Sequence, residues 1–324
     1  LGKTVQVLAF LSTLEKKKNT PASLLIIPAS LISNWISEIE KFFPDIGWLV
    51  AHPHYLSTDN APQPQNPHEL NKLDLVMTTY ALAQKYEWLV DYQWDYVILD
   101  EGQAIKNPAT QQARAVKNLP CRNRVIMTGT PIENRLSDLW SLFDFLNPGL
   151  LGNANEFKKF SKNLNYNPSG YSRLRKLIRP YILRRLKTDK TVISDLPEKI
   201  EMRTYAALSK KQILLYKNLT AEIKKTIAQT EGIQRRGIIL SSLMKFKQLC
   251  NHPDQYLGTG GYGEKESGKF VRLREICETI YEKREKVLVF TQFKEITRPL
   301  AEFLAGIFQR EGLILHGSIP VGKR

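Results

Sequence analysis

The chain has 324 residues, 42% of them apolar and 24% charged, and a net charge of +15. A length of this size supports about two domains with cores of their own. No apolar run approaches the roughly 18 residues of a membrane span, and Cys121, Cys250 and Cys277 have no paired spacing, which argues against a disulfide framework and suits a reducing compartment.

The first stretch, "LGKTVQVLAFL", places Gly2, Lys3 and Thr4 at the end of a phosphate-loop pattern, G-x-x-x-x-G-K-[ST], ahead of a helix-like apolar spacing. In such a loop the lysine reaches the β/γ-phosphates, the hydroxyl binds Mg²⁺, and the amides opening the helix cradle phosphate. The pattern requires a strand and a further glycine ahead of Leu1. Next come four short apolar runs, "SLLIIPAS", "LDLVMTTY", "WDYVILDE" and "RVIMTGTP", alternating with helix-like stretches such as "LISNWISEIEKFF" and "ATQQARAVKNL". Continuous apolar strands alternating with amphipathic helices predict a parallel sheet covered on both faces, with ligands at the carboxyl ends of its strands. Residues 52–68 read as a surface loop.

After Asn147-Pro148-Gly149 the pattern turns helical and basic, as in "YSRLRKLIRPYILRRLKTD". Residues 151–270 hold 24 Lys/Arg against 10 Asp/Glu, whereas residues 1–150 hold 13 against 15. That excess is either a solvated helical surface or the footprint of a polyanion, nucleic acid being the commonest. "KIEMRTYAAL" reads as a strand, Ser209 to about Cys250 as a long amphipathic stretch, and "DQYLGTGGYGEKESG" as a flexible loop. A second alternation begins near Lys269, with "KVLVFTQF" and "GLILHGS" as expected strands.

The strongest chemical signal is "YVILDEGQ", an apolar strand delivering Asp100 and Glu101 at its end. In nucleotide hydrolases such an Asp holds Mg²⁺ and the Glu polarises the attacking water; the alternative is an ordinary exposed strand end. Lys3-Thr4 and Asp100-Glu101 are complementary halves of one nucleotide–Mg²⁺ site. Thr128, Gly129 and Thr130 end another strand, within reach of a neighbouring strand end or serving as a turn and cap. "GEKESGKF" matches the phosphate-loop spacing at Gly263, Gly268 and Lys269, but Phe270 replaces the hydroxyl and no strand precedes it, so it reads as a loop capped onto a helix. Cys250 and His252 lack a second ligand pair for zinc.

Taken in order, "LGKTVQ", "LLIIPASLISNWISEIEKF", "VMTTY", "YVILDEGQAIKNP", "MTGTPIENRLSDLWSLFDFLNPGLLG", "YILRRLKTD", "LPEKIE", "KQLCNHP", "SGKF", "KVLVFTQF" and "LHGS" resemble the SWI/SNF-related ATPases of helicase superfamily two, in a bacterial-type flavour. "DEGQAIKN", "TGTPIEN", "NPGLLG" and "LCNHP" are specific to that family rather than to helicases at large. The resemblance implies an α/β chain. A RecA-like parallel-sheet lobe spans 1–207 with a helical protrusion at about 147–190. A family-specific helical region and flexible loop span 208–268, and the beginning of a second RecA-like lobe spans 269–324. It implies an internal fragment, with the start of the phosphate loop ahead of Leu1 and the last motifs of the second lobe beyond Arg324.

By the same resemblance, Gly2, Lys3 and Thr4 bind ATP, and Thr4 and Asp100 hold Mg²⁺. Glu101 serves the water, Gln103 senses the nucleotide, and Thr128, Gly129 and Thr130 couple hydrolysis to DNA. Asn34, Trp35, Thr79, Gln292, His316 and Gly317 fall in motifs lining the DNA track, and Arg184, Arg185 and Lys187 form the densest basic stretch of the region 151–270. The implied activity is an ATP-dependent translocase on double-stranded DNA that displaces bound protein, such as RNA polymerase or a chromatin-like protein, without a membrane partner. It would act in the cytoplasm at the nucleoid or in a nucleus. A non-catalytic nucleic-acid-binding segment and a strand-separating helicase are the alternatives, the latter disfavoured by "LCNHP" and "NPGLLG". Many relatives carry Ala where Gly102 stands.

Overall fold

The computed structural model describes residues 2–14, 20–56, 67–129, 136–164, 169–185, 197 and 199–320. The chain forms two compact units, residues 1–196 with 320–324 and residues 197–319. Thr130 and Lys187 lie outside the described residues.

In the first unit the elements follow as α1 (Lys3–Thr13), β1 (Ser23–Ile27), α2 (Ile32–Phe42), β2 (Trp48–Val50), α3 (Pro53–Leu56), α4 (Pro67–Leu70), β3 (Leu75–Thr79), α5 (Trp88–Asp91), β4 (Trp94–Leu99), α6 (Gln111–Lys117), β5 (Cys121–Ile126), α7 (Leu136–Leu146), α8 (Ala154–Asn163) and α9 (Ser169–Ile178). The five strands form one parallel sheet in the order β2-β3-β1-β4-β5. Alternation along β1 explains why its apolar run is unbroken. Leu24 and Ile26 enter one core with Leu142 and Phe145 of α7 and Val116 of α6, while Leu25 and Ile27 enter the other with Val7, Leu8 and Leu11 of α1. Helix α2 adds Ile32, Trp35 and Ile39 to that second core at spacings of three and four residues, one stripe of an amphipathic helix. Each such side chain contributes about 1.5–3 kcal/mol on leaving water.

Beyond the sheet, α7, α8 and α9 share a smaller cluster of Leu139, Phe143, Phe157, Leu174 and Ile178. Asn153 and Glu156 cap α8 reciprocally, Asn153 accepting the Glu156 N–H and Glu156 the Asn153 N–H.

The second unit contains α10 (Lys210–Ala228), α11 (Gly232–Asn251), α12 (Pro253–Leu257), α13 (Gly268–Glu282) and α14 (Thr297–Phe308). The long amphipathic stretch is thus two helices, parted at residues 229–231, with Gly232 opening α11 at a φ of 62°. Tyr216 and Phe246 join α10 to α11 with ring centroids 4.6 Å apart, and Phe270 and Phe303 join α13 to α14 at 4.8 Å. Three expected strands do not form: "KIEMRTYAAL", "KVLVFTQF" and "GLILHGS" carry no ladder, and Leu288, Phe290, Leu313 and Leu315 stay exposed. A buried parallel strand is held by neighbours on both sides, and among the described residues of this unit there is no strand to pair with. No described helix is long and apolar enough to cross a membrane.

Candidate active site

From β1 the chain crosses to the edge strand β2 and returns to β3 on one side, then passes β1 to β4 and β5 on the other, so β1 and β4 flank the point where its direction reverses. A crevice at the carboxyl ends of strands beside such a point is where open parallel sheets take ligands. Strand β4 ends there. The Asp100 N–H donates to the Ile26 carbonyl at 2.9 Å, carrying the ladder one residue past the strand.

Asp100 is 5% exposed, and its neighbours satisfy it. The Trp35 Nε1–H donates to Oδ2 at 3.1 Å, the Glu101 N–H donates to Oδ1 at 2.9 Å, and the Tyr80 hydroxyl donates to the backbone carbonyl at 2.7 Å. Glu101 then takes a left-handed conformation, φ 51° and ψ 53°, which costs a non-glycine residue about 1–2 kcal/mol. This sharp turn presents the carboxylate to the lysine that opens α1: Lys3 Nζ donates to Glu101 Oε1 at 3.0 Å and lies 3.4 Å from Asp100 Oδ1. Gly2 precedes α1 with a φ of 60° and caps it without a side chain.

This packing sets the charge of both partners. Burial pushes the Glu101 carboxyl up, but hydrogen bonds from Gln103 and Lys3, with the lysine charge, outweigh it and hold the group below its usual range. Burial pushes Lys3 down, but Glu101 and Asp100 outweigh it and hold the ammonium above its usual range. The polar chain continues: Gln103 Nε2 donates to Glu101 Oε2 at 2.8 Å, and Thr128 Oγ1 donates to Gln103 Oε1 at 3.2 Å. A line of polar groups therefore runs from the start of α1, past the end of β4, to the segment after β5.

Of the residues singled out from sequence, the structure brings together Lys3, Asp100, Glu101, Gln103 and Thr128, with Gly2 and Thr4 flanking Lys3 and Gly129 exposed next to Thr128. Asn34 is exposed on α2, where its amide donates to Glu38 at 3.2 Å. Its neighbour Trp35 differs from the expectation of a DNA-track residue. It is 1% exposed because it belongs to the apolar stripe of α2, and its one polar atom is spent on Asp100. Thr79 is likewise buried, its hydroxyl accepting the Leu82 N–H at 3.3 Å. Arg184 and Arg185 are exposed. In the second unit Gln292 accepts from Lys247 at 3.0 Å, His316 Nδ1 accepts the Ser318 N–H at 3.3 Å, and Gly317 is exposed. Tyr80 is a site residue that sequence reasoning misses; a tyrosine ending an apolar strand gives no hint of which buried carbonyl it will meet.

Gly102 has a local reason. Its N–H donates to the Met127 carbonyl at 2.9 Å, and an added Cβ would overlap the Ile126 Cγ2. Gly102→Ala is expected to destabilise the first unit by about 1–3 kcal/mol through overpacking. Adding Ile126→Ala should recover part of that loss, a non-additive cycle readable by urea unfolding. Strict additivity would show that the two positions do not meet.

In the second unit His252, Asp254 and Glu266 present ligand atoms within 4.8 Å of one another. Their donors and acceptors are already engaged internally. His252 Nδ1 accepts the Asp254 N–H at 3.1 Å and Nε2 faces the Gly263 carbonyl at 3.0 Å. Asp254 accepts from Thr259 at 2.9 Å and from the Tyr262 N–H at 2.6 Å, while Lys211 reaches Glu266 at 2.7 Å. These bonds form a brace that pins the glycine-rich segment whose composition suggests flexibility. Ser267 caps α13 by accepting the Phe270 N–H, and Lys269 donates to Asn251, so "GEKESGKF" is a capped helix start.

The chain is similar to known proteins along its length. The profile of the SNF2-related domain matches residues 1–255. YwqA of Bacillus subtilis, named for ATP-dependent helicase/translocase activity, is 35% identical over 334 residues, spanning 100% of this chain and 36% of its own length. The ATP-dependent DNA helicase DDM1 of Arabidopsis thaliana is 31% identical over 357 residues, spanning 100% of this chain and 46% of its own. A solved structure, the Sulfolobus solfataricus SWI2/SNF2 ATPase core in complex with dsDNA, superposes with a TM-score of 0.55 at 37% identity, covering 96% of this chain and 64% of that one. The chain thus spans between a third and a half of these curated relatives.

Proposed function

This chain belongs to the SNF2-related domain family, and we propose that it carries the ATP-hydrolysing centre of a protein that moves along double-stranded DNA and displaces protein bound there. The observation that carries the reading is the continuous polar line Lys3–Glu101–Gln103–Thr128, with Asp100 beside it, at the crevice of β1 and β4. Lys3 sits at a helix start, where backbone N–H groups and the helix dipole favour phosphate. Asp100 and Thr4 offer the hard oxygen donors that suit Mg²⁺, which when bound neutralises phosphate charge. Glu101, kept ionised, accepts a proton from the attacking water, and Gln103 and Thr128 relay the state of the site to the segment following β5.

Residues 1–207 form the first RecA-like lobe in this reading, 208–268 the family's helical region, and 269–324 the beginning of a second lobe, in which "KVLVFTQF" and "GLILHGS" are apolar segments without a ladder. The duplex bound to the Sulfolobus core and the positive charge of residues 151–270 both favour DNA as the track. The work would be done on the chromosome, in the cytoplasm or a nucleus according to the organism.

The test is phosphate release by the full-length protein with duplex and single-stranded DNA, beside a salt titration of duplex binding. Duplex should stimulate more strongly, without sequence preference. The triple variant Arg184→Ala, Arg185→Ala, Lys187→Ala should weaken binding to all sequences and flatten the salt slope by about 0.9 for each phosphate no longer neutralised. Equal turnover with and without DNA would refute the motor; an unchanged slope would remove this basic stretch from the track.

A further inference from the structure

We propose that Trp35 and Tyr80 are positioning residues that fix the Asp100 carboxylate in the one orientation able to serve a nucleotide-bound divalent cation. The inference rests on the ATPase reading above and extends it to two residues outside the phosphate-binding and water-activating set.

The torsion that orients an Asp carboxylate is broad and roughly two-fold, so an unheld carboxylate has no preferred oxygen. Here the two oxygens are differentiated. Oδ2 accepts the indole N–H of Trp35 at 3.1 Å, inside the core shared by α1, α2 and the sheet. Oδ1 faces the other way, toward the Glu101 N–H at 2.9 Å and Lys3 Nζ at 3.4 Å, the side from which phosphate would approach. Trp35 can only donate, and the Tyr80 hydroxyl meets a backbone carbonyl, which can only accept, so Tyr80 is the donor there. Its hydroxyl fixes the Asp100 carbonyl at 2.7 Å, while the Asp100 N–H is fixed on Ile26. Backbone and side chain are thereby clamped from three elements, α2, the turn after β3, and β1.

The same two residues sit next to Asn34, exposed on α2, and Thr79, at the end of β3. A shift of α2 or of the β3 turn therefore reaches Asp100 through one hydrogen bond each, at the carboxylate from α2 and at the backbone carbonyl from the turn. This gives a physical route from those segments to the cation site that does not pass through Gln103 and Thr128.

The experiment measures the affinity of a fluorescent ATP analogue for the full-length protein in EDTA and in excess Mg²⁺, so that the Mg²⁺-dependent gain is isolated from phosphate binding. Trp35→Phe keeps an aromatic in the core and removes the N–H; Tyr80→Phe removes only the hydroxyl. Ile39→Val, in the same core one helical turn beyond Trp35 and with no polar atom to offer Asp100, reports what loosened packing alone does. Trp35→Phe should cut the Mg²⁺-dependent gain about tenfold, as the removal of a group that orients a metal ligand does, and raise the Mg²⁺ concentration for half-maximal binding, with the EDTA affinity unchanged. Tyr80→Phe should do the same to a smaller extent, and Ile39→Val should leave the gain intact. An unaltered gain in both aromatic variants, or an equal loss in Ile39→Val, would overturn the positioning role. Should Trp35→Phe fail to fold, Tyr80→Phe decides alone. A wild-type protein with no Mg²⁺-dependent gain would instead refute the underlying ATPase reading.

Discussion

Glu101→Gln in the full-length protein is expected to lower DNA-stimulated ATP turnover by about 10²–10⁴-fold, the range spanned by a positioned general base. Nucleotide affinity should stay at the wild-type level or rise. Glu101 is ionised at neutral pH because the Gln103 and Lys3 hydrogen bonds outweigh its burial. The amide keeps nearly the same shape and loses the capacity to take a proton. The same exchange breaks the Lys3–Glu101 ion pair of 3.0 Å. In the present arrangement phosphate must draw Lys3 away from that pair; with Gln the ammonium is freer to meet it. Lys3→Ala should do the opposite to binding, because it removes charge that acts in the ground state as well as the transition state. Turnover and affinity measured side by side for both variants check the division of labour. Turnover of Glu101→Gln within tenfold of wild type would show that another group takes the proton.

How much of this is legible in the sequence depends on whether the information is local. Strands β1, β3 and β4 are readable because each coincides with an apolar run, and β1 and β3 are buried on both faces, which suppresses the polar alternation of a half-exposed strand; β5 starts three residues ahead of its run "RVIMTGTP" and ends at Ile126, short of Thr128. Edge strand β2, three residues long and only partly buried, offers too short a pattern. The reverse error arises at "KVLVFTQF": its composition favours a strand, but a ladder is a property of two segments, and its partner is not among the described residues. The site divides in the same way. Asp100 and Glu101 at a strand end, and Lys3 at a helix start, announce themselves in a few residues each. Trp35 does not, since its stripe on α2 predicts burial while its hydrogen bond depends on an aspartate 65 positions away. The left-handed Glu101 is also invisible, because a charged residue there runs against the usual preference for glycine, and that conformation is what turns its carboxylate toward Lys3.

Gly268→Ala is expected to be the most damaging small substitution in the second unit. Gly268 opens α13, and its N–H donates to the Gln212 side chain at 3.2 Å, so α13 is held against the capped start of α10. The segment ahead of α10 passes directly over this point. An added Cβ would overlap the Ala207 carbonyl oxygen and lie 2.8 Å from its carbon. The obstacle is backbone, which cannot rotate aside as the Ile126 side chain can at Gly102. Relief requires moving either the helix start or the 204–208 segment. The first would disturb the Gln212 hydrogen bond and the Ser267 cap; the second would pull at the Arg272–Thr204 hydrogen bond of 2.8 Å. The helix propensity gained by replacing glycine, about 1 kcal/mol at most in a helix interior and less in the first turn, does not offset this. A net loss of about 2–3 kcal/mol, at the upper end of overpacking costs, corresponds to a Tm about 8–12 °C lower for a unit of this size. Calorimetry of the full-length protein should show the loss in the transition of the second unit, with the transition of the first unit in place. Ser209→Ala, which removes the cap of α10 and its 2.6 Å bond to the Glu266 carbonyl, should cost less, about 1 kcal/mol. If Gly268→Ala melted with the wild type, the 204–208 segment would not be packed on α13 in solution. The placement of residues 199–208 as a coil lying across that helix, rather than as the strand their composition suggests, would then be the part of the fold to revise.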